Sequence, residues 1–256
     1  MIESLDTLRH YVQSATSRSF VPYSCQPRAV LALLSDGRWT CGVRIENACY
    51  PLVIPALSSA LVSAASMGRR DVVAVVFSSS MKEEEKTTAL HLVDSSFDQL
   101  DDDVLGHVGR TYHLQEKLAT CKDLKLRLNP TSGIFLARQA ARYAHTPESD
   151  FPVGAIVVTE DQKYFQGANI EYPDWRQILC AERAAIAAAI SAGAKDIRQI
   201  YVSCLKSSKA SPCGACRQVL YEVAPNSVIW IDRGEEVAES FRPKDLLPDA
   251  FHLSES

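Results

Sequence analysis

The chain has 256 residues, 46% of them hydrophobic, which is enough for one large or two ordinary domains that bury a core without disulfide bonds. The formal net charge of −4 is not favourable for binding a polyanion, so we predict no nucleic-acid partner. The sequence has neither a basic N-terminal segment followed by an apolar one nor a window of 18 uncharged apolar residues. We therefore predict a cytoplasmic protein without a membrane partner.

The chain repeats itself at an offset of 125 residues. Residues 27–31 align with residues 152–156, and residues 42–46 align with residues 167–171, without any gap. The same register pairs four further positions: Ala60, Ala64, Gly68 and Asp71 with Ala185, Ala189, Gly193 and Asp196. Because the register never slips, we interpret the chain as a duplicated α/β unit rather than as two alanine-rich stretches that match by chance.

Both copies predict the same order of elements. An apolar strand, a turn and a second short strand are typical of a β-hairpin. An alanine-rich helix follows, and it ends at a glycine that suits the left-handed position after a helix. A further strand comes next. In the first copy the main elements are Ala29 to Leu34, Ala56 to Met67 and Val72 to Phe77; in the second they are Ala155 to Thr159, Ala181 to Ala192 and Gln199 to Cys204.

The copies diverge after that strand. The second continues into a helix from Cys213 to Val223 and a strand from Val228 to Asp232, whereas the first becomes acidic and irregular. A helix from Gly133 to Tyr143 opens the second copy, behind residues 129–132, which supply candidates for its N-cap. We predict a first domain at residues 1–114, a linker at 115–130 and a second domain at 131–256.

Three cysteines of the second copy lie where two helices are predicted to begin. Cys180 precedes the alanine-rich helix, and Cys213 and Cys216 lie at the start of the next. The positive end of a helix dipole lowers the pKa of a thiol, and the thiolate is the form that binds metal. A catalytic zinc site uses three protein ligands and leaves the fourth position to water. The pattern therefore predicts that these three cysteines bind zinc.

Glu182 comes two residues after Cys180 and is not needed for coordination. A carboxylate beside a metal-bound water is the natural general acid and base. The alternative is a closed structural knuckle, in which Cys204 is the fourth ligand and Glu182 is an ordinary residue of a helix first turn. The motif Cys-Ala-Glu, followed 31 residues later by Pro-Cys-x-x-Cys, favours the catalytic site.

Residues 146 to 251 resemble the cytidine deaminase family nearly end to end. The motifs that carry the resemblance are Phe151-Pro152-Val153-Gly154-Ala155, Gly167-Ala168-Asn169-Ile170-Glu171, Cys180-Ala181-Glu182-Arg183, Pro212-Cys213-Gly214-Ala215-Cys216-Arg217-Gln218, and Leu246-Leu247-Pro248 before Phe251. The resemblance implies an α/β fold made of two tandem α/β/α sandwich domains of cytidine-deaminase type, each around a mixed five-stranded sheet.

The resemblance also implies an activity, the hydrolytic deamination of cytidine and deoxycytidine to uridine and deoxyuridine plus ammonia in pyrimidine salvage. Zinc would activate the water and Glu182 would shuttle the proton. Asn169 and Glu171 would hold the ribose hydroxyls, and Phe151 would pack on the pyrimidine. Arg183, next to a ligand, would donate to a thiolate and offset the negative charge of the zinc centre. Structural roles as a turn, loop or core residue are the alternatives for Asn169, Glu171 and Phe151.

The first copy lacks the residues of this chemistry. Pro55 stands in place of Cys180, Leu57 stands in place of Glu182, and no Pro-Cys-x-x-Cys follows, so we predict one Zn²⁺ per chain. Residues 46–52, Glu-Asn-Ala-Cys-Tyr-Pro-Leu, nevertheless keep the form found in single-domain relatives. The corresponding stretch of the second copy, residues 171–177, has drifted.

In tetrameric relatives this loop reaches into the active site of a neighbouring subunit. The resemblance therefore implies a homodimer that reproduces four domains as a pseudo-tetramer, with Ala48 and Tyr50 of the first domain contacting the substrate. The alternative is that they are loop residues that determine the fold. Two-domain relatives usually have the catalytic domain first, whereas this chain has it second. We therefore assign residue roles here by resemblance to the single-domain branch of the family.

Three other functions stay open at this stage. A polynucleotide deaminase needs a basic groove with stacking aromatic residues, which the acidic balance and the pair Asn169 and Glu171 disfavour. Another small substrate, such as a nucleoside antibiotic, is compatible because related folds share the zinc motif. A zinc-stabilised regulatory module is disfavoured by Glu182 beside a site with three ligands.

Overall fold

The structure is a computed structural model that describes residues 5–172, 177–234 and 236–253. Its helices are α1 Leu5–Ala15, α2 Ala56–Ala65, α3 Glu83–Leu92, α4 Pro130–Ala140, α5 Ala181–Ser191, α6 Gly214–Val223 and α7 Pro243–Leu246. Its strands are β1 Ala29–Leu34, β2 Trp39–Val43, β3 Val72–Phe77, β4 Asp98–Asp101, β5 Val104–Gly106, β6 Cys121–Asp123, β7 Val153–Thr159, β8 Lys163–Ala168, β9 Ile197–Cys204, β10 Val228–Arg233 and β11 Glu236–Phe241. Within the described residues, no helix is long and apolar enough to cross a membrane.

The offset of 125 residues found in the sequence is also present in the backbone. Helices α1 and α4 begin and end 125 residues apart, and so do the short 3₁₀ helices that follow them, Thr16–Arg18 and Ala141–Tyr143. Isolated bridges repeat in the same register, since Phe20 pairs with Ile45 and His145 pairs with Ile170. The two copies therefore share one fold from their first helix onward.

The sheet of the first domain has five strands in the order β2-β1-β3-β5-β4, and all neighbours are antiparallel. It differs from the mixed sheet that was predicted. After β3 the divergent first copy returns through the hairpin β4-β5, whereas a parallel neighbour needs a crossover connection. Helix α1 packs on one face of the sheet, and α2 packs on the other.

The sheet of the second domain has six strands in the order β11-β10-β9-β7-β8-β6. It is mixed, as predicted, because β9 and β10 are parallel and are joined by α6. It has one strand more than predicted, because β6 from the connecting segment pairs with the edge strand β8. Helix α4 packs on β7 and β9, while α5 packs on β7 and β8 and contacts α6.

The two domains meet through α2 and α5, where Val62 and Ala65 of α2 belong to the same core as the buried residues of α5. Two buried hydrogen bonds across this interface are related by the repeat. The Val43 backbone N–H donates to Ser191 Oγ at 3.1 Å, and the Ala168 backbone N–H donates to Ser66 Oγ at 3.0 Å. The two donors are 125 residues apart from each other, and so are the two acceptors. The domains therefore face each other in a reciprocal, approximately two-fold manner.

The segment that connects the domains pairs with an edge of each sheet. Lys117 forms a bridge with Trp39 of β2, and the Leu118 backbone N–H donates to the Trp39 carbonyl at 2.8 Å. Strand β6 then runs antiparallel to β8. The segment is thus hydrogen-bonded to both domains, and the division at residues 114 and 130 stays a prediction.

Candidate zinc centre and active site

Two helices of the second domain begin close together and bring three thiols into one cluster. Cys180 is the N-cap of α5, Cys213 is the N-cap of α6, and Cys216 lies in the first turn of α6. The three sulfur atoms lie within 4.8 Å of one another, and those of Cys180 and Cys213 are 3.7 Å apart. Two thiolates held ~2.3 Å from a tetrahedral zinc lie ~3.8 Å apart, so the observed spacing suits zinc.

Glycine in β8 lets α5 lie directly on the sheet and so positions Cys180. A Cβ atom at Gly167 would overlap the backbone of Ala181 and Ala185 in the first two turns of α5. Gly42 serves α2 in the same way in the first domain, where Pro55 occupies the N-cap. The close packing of helix on strand is therefore common to both domains, whereas the ligand is present in one.

The charge of the sulfur cluster calls for a cation. Hydrogen bonding with Cys213 raises the pKa of Cys180 to about 12, and hydrogen bonding with Cys180 and then Cys213 raises the pKa of Cys216 well above its ordinary value. Hydrogen bonding with Cys180 lowers the pKa of Cys213. Three thiolates at this spacing repel one another, and a divalent cation with a preference for sulfur removes that repulsion. Among the described residues, these cysteines form the one such group of three or more candidate ligands.

Cys204, the alternative fourth ligand, is not a member of this group. It is the last residue of β9 and is buried, but its sulfur does not lie with the other three. The described donor set is therefore the three-cysteine set of an open site, and not the four-cysteine set of a closed knuckle.

Glu182 is buried beside the cluster, in the first turn of α5 and only 3% exposed. Burial raises the pKa of its carboxyl group, although hydrogen bonds to its own backbone N–H and with the Cys216 thiol partly oppose this. A carboxyl group with a raised pKa in a water-poor site is suited to take up and release a proton.

Arg183 directs its charge towards the sulfur cluster. Its Nη2 lies 3.9 Å from Cys180 Sγ and donates to the Ile178 carbonyl at 3.1 Å. Burial lowers the pKa of the guanidinium, but the sulfurs of Cys216 and Cys180 outweigh that effect and raise it overall. The guanidinium thus lies beside the sulfur of one ligand, and its role of offsetting the charge of the thiolates stays a prediction.

Arg217, which follows Cys216, has a different set of contacts. It donates to the Pro212 carbonyl at 2.7 Å, to the Leu246 carbonyl at 3.0 Å and to Ser211 Oγ at 3.0 Å. These hydrogen bonds connect the loop before Cys213 to α7, and among the described residues Arg217 donates to no sulfur.

Asn169 connects the end of β8 to the loop before β7. Its Nδ2 donates to the Phe151 carbonyl at 3.0 Å, and its Oδ1 accepts the Val153 backbone N–H at 2.7 Å. The Phe151 side chain is partly exposed. Ile170 exchanges two backbone hydrogen bonds with Leu179, so this segment lies directly beside the residue before the first ligand.

Glu171 is buried, and its carboxylate is held by the preceding loop. It accepts the backbone N–H groups of Glu148 and Ser149, at 3.0 and 3.2 Å, and the Ser149 hydroxyl. Glu46 accepts the equivalent three hydrogen bonds from residues 23–24 in the first domain. Ser149 is not among the predicted site residues, although a serine at both position 24 and position 149 was a signal in the sequence.

Ala48 and Tyr50 lie at the far end of α6 from the cysteines. The Ala48 backbone N–H donates to the Glu222 carboxylate at 2.9 and 3.1 Å, and Glu222 is nine residues after Cys213. At 1.5 Å per residue, this separates the two ends by roughly 13 Å. Tyr50 is 83% exposed. A single chain thus does not bring these residues to the sulfur cluster; of the drifted stretch 171–177, residues 173–176 lie outside the described residues.

Comparisons with known proteins match both copies of the repeat to one family. A family model described as "Cytidine and deoxycytidylate deaminase zinc-binding region" matches residues 132–231, and a second model with the same description matches residues 2–94. The cytidine deaminase of Sporosarcina psychrophila is 35% identical over 116 residues, which cover 45% of this chain and 85% of that protein. The probable cytidine deaminase of Dictyostelium discoideum is 36% identical over 138 residues, which cover 54% and 85%. The crystal structure of cytidine deaminase from Burkholderia pseudomallei aligns with 48% of this chain and 100% of its own, at 35% identity and a TM-score of 0.46.

The sulfur cluster and the buried carboxyl group on this fold define a zinc enzyme. The chain belongs to the cytidine deaminase family, in a tandem form in which each copy matches a zinc-binding region. The resemblance seen in the sequence and the assignment of zinc as the cofactor are thereby confirmed.

Proposed function

We propose that this protein deaminates cytidine and deoxycytidine by hydrolysis in the second domain, releasing ammonia in cytoplasmic pyrimidine salvage. The observation that carries the proposal is the buried Glu182 beside a cluster of three cysteine sulfurs. Relatives that are 35% and 36% identical bear the names cytidine deaminase and probable cytidine deaminase, which supports the choice of nucleoside.

Glu182 moves the proton in this reaction. Cys180, Cys213 and Cys216 would hold the zinc, which would supply a water molecule of lowered pKa near neutral pH. Glu182 takes the proton from that water as the water oxygen bonds to the amine-bearing ring carbon, and passes it to the neighbouring ring nitrogen. Glu182 then takes the proton of the new hydroxyl group and gives it to the amine nitrogen, whose bond to the carbon breaks as ammonia leaves and the carbonyl forms. Its burial keeps bulk water from competing for this proton.

Arg183 adjusts the acidity of the centre. Three thiolates and one Zn²⁺ carry a formal charge of −1, which makes a bound water a weaker acid than it is beside neutral imidazoles. The Arg183 guanidinium, 3.9 Å from Cys180 Sγ, withdraws part of that negative charge.

Asn169, Glu171 and Phe151 bind the nucleoside. Beyond its two backbone contacts, the Asn169 carboxamide retains one N–H and one lone pair for a sugar hydroxyl. The Glu171 carboxylate, fixed by residues 148–149, accepts a second hydroxyl. The exposed part of the Phe151 ring packs on the pyrimidine. Both ribose and deoxyribose provide such hydroxyls, so both nucleosides are substrates.

The functional molecule is a homodimer, with four domains in all. The loop that carries Ala48 and Tyr50 is remote from the sulfur cluster of its own chain, and it presents a tyrosine that is 83% exposed. A partner subunit whose second domain lies against this loop receives Tyr50 at its substrate site.

A substrate panel tests the reaction. Zinc-loaded protein is assayed for ammonia release with cytidine, deoxycytidine and cytidylate, and we expect turnover of both nucleosides. The Glu182→Gln variant should keep one zinc per chain and lose ~10²-fold to 10⁴-fold in kcat, as expected for a missing general acid and base. Loss of zinc from that variant, or near-normal turnover with full zinc, contradicts the role of Glu182, and a preference for another substrate contradicts the function.

Complementation between two inactive variants tests the shared site. Tyr50→Ala should lower kcat/KM at least tenfold, and Glu182→Gln removes the chemistry. In a mixed dimer, the Tyr50→Ala chain keeps its own Glu182 and receives Tyr50 from its partner. Equal mixing should therefore restore about a quarter of the wild-type activity, since half of the dimers are mixed and each has one intact site. Activity no higher than the average of the two parents contradicts the shared site.

A further inference from the structure

A cavity of about 650 Å³ lies between the first domain and the C-terminal segment of the second, and this volume is within the range of small-molecule sites. Arg44 and Glu46 line it, and they stand 125 residues before Asn169 and Glu171. We propose that this cavity is a second nucleoside site, which binds a neutral pyrimidine nucleoside and does not convert it. The choice of ligand class rests on the proposed roles of Asn169 and Glu171, whereas the existence of the site rests on the cavity itself.

Two buried donors of the cavity have no hydrogen-bond partner among the described residues. They are Arg44 Nε and Asn47 Nδ2, and the Asn47 side chain is only 3% exposed. Arg44 Nη2 pairs with Glu46 Oε1 at 3.0 Å, and this ion pair does not use the Nε–H donor. Because buried N–H groups without an acceptor are rare in native proteins, these two are suited to the oxygen atoms of a sugar or of a pyrimidine ring.

Aromatic rings from both domains flank the donors. Tyr23 of the first domain and Phe251 of the second both line the cavity with partly exposed rings. Tyr50 also lines it, so in the proposed homodimer this cavity lies beside the substrate site of the partner subunit and is separate from it. The Phe251 carbonyl accepts Gln218 Nε2 at 2.7 Å, which ties this C-terminal segment to α6. Flat apolar faces beside buried polar groups match a planar base joined to a sugar.

The charges of the cavity favour a nucleoside over a nucleotide. Arg44 and Glu46 are the charged residues among its described lining, and they neutralise each other in an ion pair. A phosphate group is normally bound by cations that are free to pair with it. Conversion is ruled out because Pro55 and Leu57 occupy the positions of the first zinc ligand and of Glu182.

Counting bound nucleosides tests the proposal. In zinc-loaded Glu182→Gln protein, ring-labelled cytidine is converted at least ~10²-fold more slowly and any uridine formed keeps the label, so equilibrium dialysis should find two labelled pyrimidine nucleosides per chain. Adding Arg44→Met should weaken one of the two binding events at least ~10-fold, the loss expected for a charge-assisted hydrogen bond. Adding Asn169→Met instead should weaken the other event and leave the Arg44-dependent one intact.

Arg44→Lys is the sharper variant, because it keeps a positive charge to pair with Glu46 but lacks the Nε–H donor. It should weaken the same event as Arg44→Met. Zinc content and thermal unfolding are measured for every variant, and the comparison uses variants whose unfolding temperature matches that of the parent. One cytidine per chain, or two events that neither Arg44 variant changes, overturns the second site.

Competition identifies the ligand. Uridine should displace cytidine from the Arg44-dependent event, whereas adenosine and cytidylate should displace it at least tenfold less well. Stronger displacement by cytidylate or by adenosine overturns the assignment to a neutral pyrimidine nucleoside. If the wild-type protein releases no ammonia from cytidine, the proposed function fails, but an Arg44-dependent binding event is still counted separately.

Discussion

The two domains of this chain have the same frame and different chemistry. Gly42 and Gly167 let a helix lie directly on a strand in both, and Glu46 and Glu171 accept the same three hydrogen bonds. The differences that matter for catalysis lie at helix starts, where Pro55 replaces Cys180. Two differences thus separate a zinc centre from a domain without one among the described residues: the replaced ligand at the start of the helix, and a different course of the backbone after β3.

The retained frame has a structural purpose. Helices α2 and α5 share one core, and each domain supplies a buried serine hydroxyl to a backbone N–H of the other. Loss of the metal ligands from the first domain leaves these contacts intact. The interface residues of the first domain are therefore needed for the stability of the second domain, whereas the residues at the start of α2 are not.

The largest expected effect concerns the zinc ligands. Cys213→Ala removes one of three sulfurs and should abolish zinc binding, with a loss of activity of about 10³-fold or more, because the metal supplies several kcal/mol of transition-state stabilisation. Cys204→Ala is the matched control, since Cys204 is a buried cysteine of the same domain outside the cluster. It should keep one zinc per chain by elemental analysis. Zinc loss in Cys204→Ala, or two zincs in the wild-type chain, contradicts the comparison.

A smaller effect separates the two equivalent serines of the loops. Ser149→Ala removes a hydroxyl that holds Glu171, and Ser24→Ala removes the equivalent hydroxyl from Glu46. Each should lower the free energy of unfolding by a similar amount, about 1 to 3 kcal/mol for a hydrogen bond to a buried charged group. Ser149→Ala should also raise KM for cytidine about tenfold, since a loosened Glu171 binds the sugar less well.

The measurements are chemical denaturation and steady-state kinetics of both variants. If KM for cytidine rises equally in Ser24→Ala, the rise comes from a general loss of stability. The loop around Ser149 then has no specific role in substrate binding. A KM that is unchanged in Ser149→Ala shows that Glu171 does not depend on this serine.

The smallest effect on activity is expected at the domain interface. Ser66→Ala and Ser191→Ala each leave a buried backbone N–H without its acceptor, at a cost of about 1 to 3 kcal/mol of stability. Because the two contacts are related by the repeat, the two variants should lose similar amounts and should retain zinc. Thermal unfolding of both, beside the wild type, is the measurement. If only one of the two variants loses stability, the two hydrogen bonds are not equivalent and the interface is not reciprocal.

The zinc cluster was predictable because its signals are local in sequence. Cys180 and Cys213 each directly precede a helix, so their spacing alone places the thiols at two N-termini. The contact between the Ala48 backbone and Glu222 joins residues 174 positions apart and has no local signal. The same holds for β6, whose three residues carry no strand pattern and become a strand by pairing with β8. After β3, the sequence of the first copy has no clear strand periodicity. It therefore did not predict the antiparallel strands β4 and β5.

The pairing of the connecting segment with both sheets has a consequence for solubility. An open edge strand can recruit a strand from another molecule and so begin aggregation. Here Lys117 and Leu118 cover β2, and the three-residue strand β6 covers β8. A strand as short as β6 is itself a poor template for further pairing. The connecting segment thus covers one edge strand in each domain. In this duplicated protein, the segment that joins the two copies therefore also reduces the edge surface at which another molecule could pair.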